Sequence, residues 1–375
     1  MIDLRSDTLT LPDRAMLEAI LAAPLGDDGR EDTHGRGEDA TVNRLEDMAA
    51  DLTGKEAAVF FPSGTLANSA AILTWCKAGD IVLVDKEQHI LLSEKYVFEP
   101  GYGDLIPLCY QHHESHMPIP AEIDWLLEKS GSKLVCLENS HNFSGGYCIN
   151  LTTMKAIRET ADKHGASIHL DGARVFHAAA HLNCAVSEIC QYVDSAMFCV
   201  SKGLGAPIGS LLCGSEEFCR KARKTRKLLG GGMRQSGVAA APAIYALEHN
   251  VKRLAEDIKY TKLIHRLLKE NLKKIRVQEE AQTNILMLDV SDTGINAEEF
   301  CSLAKKEGLL IRPVLNDVTV RLVLYKGITA EAAEMAANII LKLDAVLVDQ
   351  GMQKSLETGD GYDDSGTGHS GVKSA

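Results

Sequence analysis

The sequence predicts an α/β protein with a mostly parallel central sheet and a smaller α+β unit towards its C-terminal end. Two observations carry that reading. Short apolar runs of strand length alternate with helical segments through the first two thirds of the chain, the pattern of repeated strand–helix units. Such units put helices on both faces of a parallel sheet. After a long helical segment ending near Leu272, the order changes to strand, helix, two short strands and helix.

Residues 1–35 read as an N-terminal arm with one amphipathic segment, Asp13 to Ala23. A helix capped near Asp39 or Thr41 follows, with Val42, Leu45 and Met48 at helical spacing. Ala57–Phe61 is an expected strand, Pro62-Ser63-Gly64-Thr65 a turn, and Leu66 to Cys76 an alanine-rich helix. Further strands are expected at Ile81–Val84, Leu105–Leu108, Lys133–Leu137, Ser167–Leu170, Ala196–Val200 and Ile208–Cys213. Helices are expected at Leu91–Tyr96, Glu122–Glu128 and Thr152–His164. Glu217 to Leu228 is a basic helix whose charge run reads as a solvated face. Val238 to about Leu272 reads as one long helix linking two sub-domains. The smaller unit then has strands Asn284–Leu288, Leu309–Ile311 and Thr319–Val323 and helices Ala297–Glu307 and Ala330–Val346. The expected division is an arm (1–35), a large domain (36–250), a small domain (251–350) and a disordered tail (351–375) rich in Gly, Ser and Asp.

Composition excludes several classes of function. With 45% hydrophobic and 25% charged residues the chain is an ordinary soluble protein, and no apolar run approaches the ~18 residues of a membrane span. A formal net charge of −12 argues against a nucleic-acid partner. The ten cysteines form no Cys-x-x-Cys pair, and Met1-Ile-Asp-Leu-Arg-Ser-Asp7 has no secretory core, so reduced thiols and a cytoplasmic setting are expected. His177-Ala-Ala-Ala-His181 lacks the glutamate of a zinc-protease motif, and His112-His113 with His116 lies in a polar loop, so no metal is expected at either.

The chemistry centres on Phe198-Cys-Val-Ser-Lys-Gly-Leu-Gly-Ala-Pro-Ile-Gly-Ser-Leu-Leu-Cys213, where Lys202 sits between two apolar runs. Burying an unpaired ammonium is costly, and a Schiff base to an aldehyde cofactor removes that cost. Gly203-Leu-Gly205 is not a dinucleotide fingerprint, because a strand rather than a helix follows. Upstream, the run Ala166–Leu170 ends at Asp171, with Arg174 one turn on. An aspartate and a lysine at two strand ends can serve one cofactor, the first at a pyridine nitrogen and the second at an imine. Ser63-Gly64-Thr65, between strand and helix, reads by itself as an ordinary connection capped by Ser63 or Thr65, and is also a setting in which backbone amides bind phosphate.

Together the blocks Ile2-Asp-Leu-Arg-Ser-Asp-Thr8, Ser63-Gly-Thr-Leu-Ala-Asn68, Leu137-Glu-Asn-Ser-His-Asn142, His169-Leu-Asp-Gly-Ala-Arg174, Ser201-Lys-Gly-Leu-Gly-Ala-Pro207 and Gly230-Gly-Gly-Met-Arg-Gln235 resemble the signature of the threonine aldolases. The resemblance runs from residue 1 to about 346 and implies a fold-type I (aspartate aminotransferase-like) enzyme using pyridoxal 5'-phosphate. It implies cleavage of threonine or allo-threonine, or related β-hydroxy-α-amino acids, to glycine and an aldehyde. Another β-eliminating lyase or a racemase is the alternative, and a non-catalytic interaction protein has no need of Lys202, Asp171 and the arginines together. By the same resemblance Lys202 is the Schiff-base lysine and Asp171 the pyridine partner. His89 stacks on the ring, and Ser63, Gly64 and Thr65 bind the phosphate. Ser6, Arg174 and Arg321 hold the substrate carboxylate, with Arg174 also counted among the cofactor-binding groups. Arg234 reaches the phosphate of a neighbouring subunit, which implies a homodimer or homotetramer with shared sites. Three features depart from the family. Residues 30–37 form a longer loop than in many members, Tyr325 stands where a histidine is common, and the histidine some members carry before Lys133 has no clear counterpart, with His116 the candidate.

Overall fold

The computed structural model describes residues 1–357 except His34 and residues 113–115. Its element order begins with β1 (Ile2–Asp3), α1 (Arg14–Leu21), α2 (Ala40–Thr53), β2 (Ala57–Phe61), α3 (Gly64–Trp75), β3 (Ile81–Asp85), β4 (Ile106–Tyr110), α4 (Pro120–Ser130) and β5 (Leu134–Glu138). It continues with α5 (Leu151–His164), β6 (Ser167–Asp171), α6 (Val175–Leu182), α7 (Val186–Cys190), β7 (Ser195–Cys199), β8 (Ser210–Gly214), α8 (Glu216–Leu228), α9 (Gly237–His249) and α10 (Leu254–Asn271). The last elements are β9 (Arg276–Val277), β10 (Ile285–Asp289), α11 (Ala297–Lys306), β11 (Leu309–Leu310), β12 (Arg312–Pro313), β13 (Thr319–Val323) and α12 (Ala330–Glu357).

The large sheet has seven strands in the order β2-β8-β7-β6-β5-β3-β4. Every pairing from β7 across to β4 is parallel, and β8 runs antiparallel to both its neighbours. The reason lies in the link between β7 and β8, residues 200–209, which is shorter than the dozen or so residues a parallel crossover needs. Both faces of the sheet are covered. Along β2, Val59 and Phe61 pack towards α3 and α8, while Ala58 and Phe60 join the core under α2 and α9, which is the period of two expected of a strand.

The second sheet, β12-β13-β10-β9, is antiparallel and packs its apolar face against α10, α11 and α12. The arm is stitched to this unit, because β1 pairs in parallel with β11 and Leu4 is fully buried in the same core.

Four local expectations are corrected. The long helix over 238–272 is two helices, broken at residues 250–253, where Asn250 donates to the Leu204 carbonyl (2.7 Å) and Arg253 to the Gly203 carbonyl (2.8 Å). The segment over 91–96 is a single π-helical turn, Ile90–Glu94. The basic face of α8 is not wholly solvated. Arg223 and Arg226 turn inward to Glu46 (2.6 Å) and Asp28 (2.7 Å). Finally, α12 continues through Glu357, so the stretch 351–357 expected to be disordered is helical, and the rest of that tail lies outside the described residues.

Candidate active site

One edge of the large sheet collects the chemistry. Parallel strands end on the same side, and β8 reverses twice so that β2 ends there too. Ser63 and Thr65 follow β2, His89 follows β3, Glu138 ends β5, Asp171 ends β6 and Lys202 follows β7. The carboxyl ends of strands are where open α/β sheets bind ligands.

The Lys202 loop is held tightly. Gly205 N–H donates to the Lys202 carbonyl (2.9 Å) and Ala206 N–H to that of Val200 (3.0 Å). Gly203 is required by close approach, since a Cβ there would lie 2.6 Å from the His177 ring. The half-buried Lys202 side chain has no hydrogen-bond or ion-pair partner among the described residues. It shares a small cavity with Ala173, Arg174 and Cys199. Burial pushes the Cys199 thiol up against the opposing charge of Lys202.

Asp171 is buried and held at both oxygens. Oδ1 accepts the Ala173 N–H (3.0 Å) and Oδ2 accepts from Asn68 Nδ2 (3.0 Å). Behind it a polar chain crosses the core. Asn68 Oδ1 meets His169 Nε2 at 3.1 Å, His169 Nδ1 meets Ser195 Oγ at 3.0 Å, and Trp75 donates to Ser195 Oγ at 2.9 Å. Burial drives the His169 pKa down to about 4, so the ring is neutral and fixed by its partners.

His89 starts the π turn, stacks near Phe143 (centroids 6.0 Å) and gives its backbone N–H to Glu138 (2.8 Å). Its Nδ1 lies 3.2 Å from Glu94 Oε1. Burial opposes a charge on this ring, but the Glu94 bond and the charges of Asp171 and Glu138 outweigh it and raise the pKa. Ser63 caps α3 by accepting from Leu66 N–H (3.2 Å). The first-turn N–H groups of Gly64 and Thr65 have no intrahelical partner, the kind of helix start at which anions bind. A Cβ at Gly64 would lie 2.9 Å from both Cys199 and Met197, so only glycine lets α3 start this close to β7.

A second group lies where the two sheets and the arm meet. Arg174 donates to Asp7 from Nε (2.7 Å) and Nη2 (2.8 Å) and to Asn142 Oδ1 from Nη1 (3.2 Å). Arg321 donates to the same Asn142 oxygen (2.8 Å) and leaves its buried Nε without a partner. Arg321 is the middle residue of β13, which has the expected bounds, and its side chain leaves the sheet face towards Asn142. Burial and the neighbouring Arg174 charge bring its pKa down to about 10. Ser6 caps the turn that carries Asp7 and accepts from Thr8 N–H (3.2 Å) and Thr8 Oγ1 (2.8 Å).

Arg234 stands apart. It is exposed, pairs with Asp27 (3.3 Å) and touches none of the cofactor-site residues of its own chain. Of the histidines considered for metal, His177 pairs with buried Asp257 (3.3 Å), and His113 lies outside the described residues. His112 lies with His141 around Asp85. His141 Nδ1 accepts the Ser144 N–H (3.1 Å), so its proton is on Nε2 and faces Asp85 (2.9 Å), leaving that nitrogen no lone pair for an ion. His116 stacks on Tyr147 (4.2 Å). Asp7, Asn68, Glu138 and Asn142 lie inside the recognised sequence blocks without an expected role, and Glu94 lies outside them.

The donor set fits pyridoxal phosphate. It offers an unpartnered lysine amine, a buried carboxylate suited to a pyridinium, a helix start with free amides for a phosphate, and a ring to stack. The comparisons agree. The chain is 39% identical over 353 residues to a low specificity L-threonine aldolase of Escherichia coli K12, covering 90% of this chain and 98% of that protein. It is 38% identical over 343 residues to low-specificity L-threonine aldolase 1 of Arabidopsis thaliana, covering 88% and 92%. A solved Leishmania major threonine aldolase shares the fold, with a TM-score of 0.74 over 91% of this chain and 99% of that one, at 18% identity. The beta-eliminating lyase model matches residues 3–293, and the chain belongs to that family, with the fold-type I architecture of pyridoxal-phosphate enzymes.

Proposed function

We propose that the chain is a pyridoxal-phosphate-dependent aldehyde-lyase that splits threonine-like β-hydroxy-α-amino acids into glycine and an aldehyde, acting as a homodimer or homotetramer. The observation that supports this most is the unpartnered Lys202 amine, one strand away from buried Asp171 at the same sheet edge. Its weight comes from a chain 39% identical to a low specificity L-threonine aldolase.

Pyridoxal phosphate, when bound, supplies the aldehyde that takes up an amine and the ring that withdraws the electron pair left at Cα when the Cα–Cβ bond breaks. Lys202 is the amine that would hold it between turnovers and yield it to the substrate amine. Asp171, kept rigid by Asn68 and Ala173, would hold a proton at the pyridine nitrogen. Ser63, Gly64 and Thr65 would bind the phosphate through the start of α3. Arg321, Arg174 and Ser6 would orient the substrate carboxylate, a task for which a planar guanidinium is suited. The β-hydroxyl proton leaves to a base, for which His89 and a bound water are the two candidates. Leu228, 86% exposed at the end of α8 just before the glycines that lead to Arg234, supports a subunit interface near that arginine, and ten free cysteines support a reducing, cytoplasmic setting. Among the described residues no helix is long and apolar enough to cross a membrane.

The test uses the purified protein. It should absorb visible light through bound cofactor and form glycine plus acetaldehyde from L-threonine or L-allo-threonine, and Lys202→Ala should lose both properties. 2-Oxobutanoate and ammonia as the only products, from loss of water across Cα–Cβ, would turn the reading to β-elimination. A protein that takes up no pyridoxal phosphate would refute it.

A further inference from the structure

Glu94 occupies the centre of the candidate site, yet nothing in its sequence context marks it. Its carboxylate is buried (side chain 8% exposed) and fully engaged. Oε1 accepts from His89 Nδ1 (3.2 Å) and lies 3.4 Å from Thr65 Oγ1, and Oε2 accepts from Asn68 Nδ2 (3.1 Å). The same Asn68 amide nitrogen gives its other hydrogen to Asp171 Oδ2 (3.0 Å). One carboxylate therefore touches the phosphate turn, the stacking histidine and the amide that holds the pyridine partner. The nearest polar atoms of His89, Glu94 and Asp171 all lie within 4.8 Å of one another.

The backbone is shaped for this. In an α-helix, side chains meet at a spacing of three or four, whereas His89 and Glu94 are five apart. The wider π turn, closed by Lys95 N–H on the Ile90 carbonyl (3.1 Å), brings the fifth residue round to the histidine. π turns of this kind recur at functional sites.

We propose that Glu94 is a positioning residue. It accepts hydrogen bonds from Nδ1–H of His89 and from one N–H of Asn68, and so fixes together the two groups, His89 and Asp171, that would flank the cofactor ring. The inference rests on the pyridoxal-phosphate reading above. It explains why the residue is a carboxylate, since both oxygens must accept. A glutamine of the same shape turns an NH2 towards either His89 or Asn68, setting donor against donor.

The experiment is cofactor titration of apoenzyme, followed by visible absorbance, together with steady-state kinetics for wild type, Glu94→Gln, His89→Phe and the double variant. Glu94→Gln should weaken cofactor binding and lower kcat by about tenfold or more each, the scale of one lost charge-assisted hydrogen bond, with KM for L-threonine within about twofold of wild type. The penalty should shrink severalfold in the His89→Phe background, because the main partner is already gone. Wild-type cofactor affinity and kcat in Glu94→Gln, or a penalty undiminished beside His89→Phe, overturns the inference. Should Glu94→Gln not fold, nitrogen-15 NMR of histidine-labelled wild-type holoenzyme decides. A neutral His89 protonated on Nδ1, or a doubly protonated ring, supports the inference, and a ring protonated on Nε2 alone overturns it. A wild-type chain that takes up no cofactor defeats the functional reading itself, which is a distinct result from a cofactor-binding wild type matched by Glu94→Gln.

Discussion

Arg174 and Asp7, 167 residues apart in the chain, face each other along two parallel hydrogen bonds of 2.7 and 2.8 Å, with Asp7 wholly out of solvent. Asn284 of β10's entry adds a third contact to Asp7 (3.2 Å). The arm, the large sheet and the small sheet thus close on one carboxylate.

That pairing sets the first prediction. Burial alone would push the Asp7 pKa up, but the charge and hydrogen bonds of Arg174 outweigh it and hold it below the ordinary carboxylate range. A depressed carboxyl contributes stability above its unfolded pKa of about 4 and loses it as pH falls through the folded value. Asp7→Asn should therefore cost about 3 kcal/mol at pH 7, the scale of breaking one buried ion pair. The difference from wild type should narrow below about pH 4, where the unfolded aspartate is itself protonated. Chemical denaturation at both pH values checks it. Equal midpoints at neutral pH would show that Arg174 finds its anion elsewhere.

Arg321 carries the second. Two guanidinium groups converge on one Asn142 oxygen, but only Arg174 has a carboxylate partner. Among the described residues Nε of Arg321 is left unpartnered in the interior, and the proposed substrate carboxylate would balance the surplus positive charge. Arg321→Lys should raise KM for L-threonine by about tenfold or more, because an ammonium cannot make the paired contact. A threonine analogue lacking the carboxylate should show no such change between wild type and variant. Equal penalties for both substrates would make the arginine structural.

The sheet was legible because its strands are short apolar runs bounded by turn residues, and those runs reappear as β2, β3, β5, β6, β7 and β8 within a residue or two. The break at 250–253 was not legible, since Val251 and Leu254 continue the apolar spacing and the cause is contact with Gly203 and Leu204. The partnership of Asp7 with Arg174 was hidden by sequence separation, although both lie in recognised blocks. Glu94 was hidden for another reason. A helix period of 3.6 sets residues five apart on different faces, and only the π turn reunites it with His89.

The third prediction concerns acid stability. His169 is fully buried between Asn68 and Ser195, and burial takes its pKa from 6.5 down to about 4. A histidine kept neutral in the fold favours the native state above the unfolded pKa of 6.5, and that contribution is lost as pH falls towards about 4. Over that window the loss is on the order of 3 kcal/mol. His169→Gln should unfold with a weaker dependence on pH between those values, whatever it costs at pH 7. An unchanged slope would mean that His169 is not what limits the fold in acid.

The last prediction concerns a site shared between subunits. Arg234 follows Gly230-Gly231-Gly232, is exposed, and among the described residues its side chain pairs only with Asp27 of its own arm, a weaker tether than the paired bonds that hold Arg174. Leu228, 86% exposed, stands beside the glycines and offers an apolar contact for another surface. If Arg234 completes the phosphate site of a neighbour, Lys202→Ala and Arg234→Ala chains are each inactive alone but complementary together. A heterodimer of the two holds one site with both defects and one with neither. Random pairing makes half the dimers mixed, each with one intact site of two, so refolded equal mixtures should recover up to about a quarter of wild-type activity. Arginine and site lysine in the same chain would instead leave every site of the mixture defective, and activity would stay at the level of the separate variants. Sedimentation of the wild type supplies the companion measurement, since a fully active monomer is incompatible with a borrowed arginine.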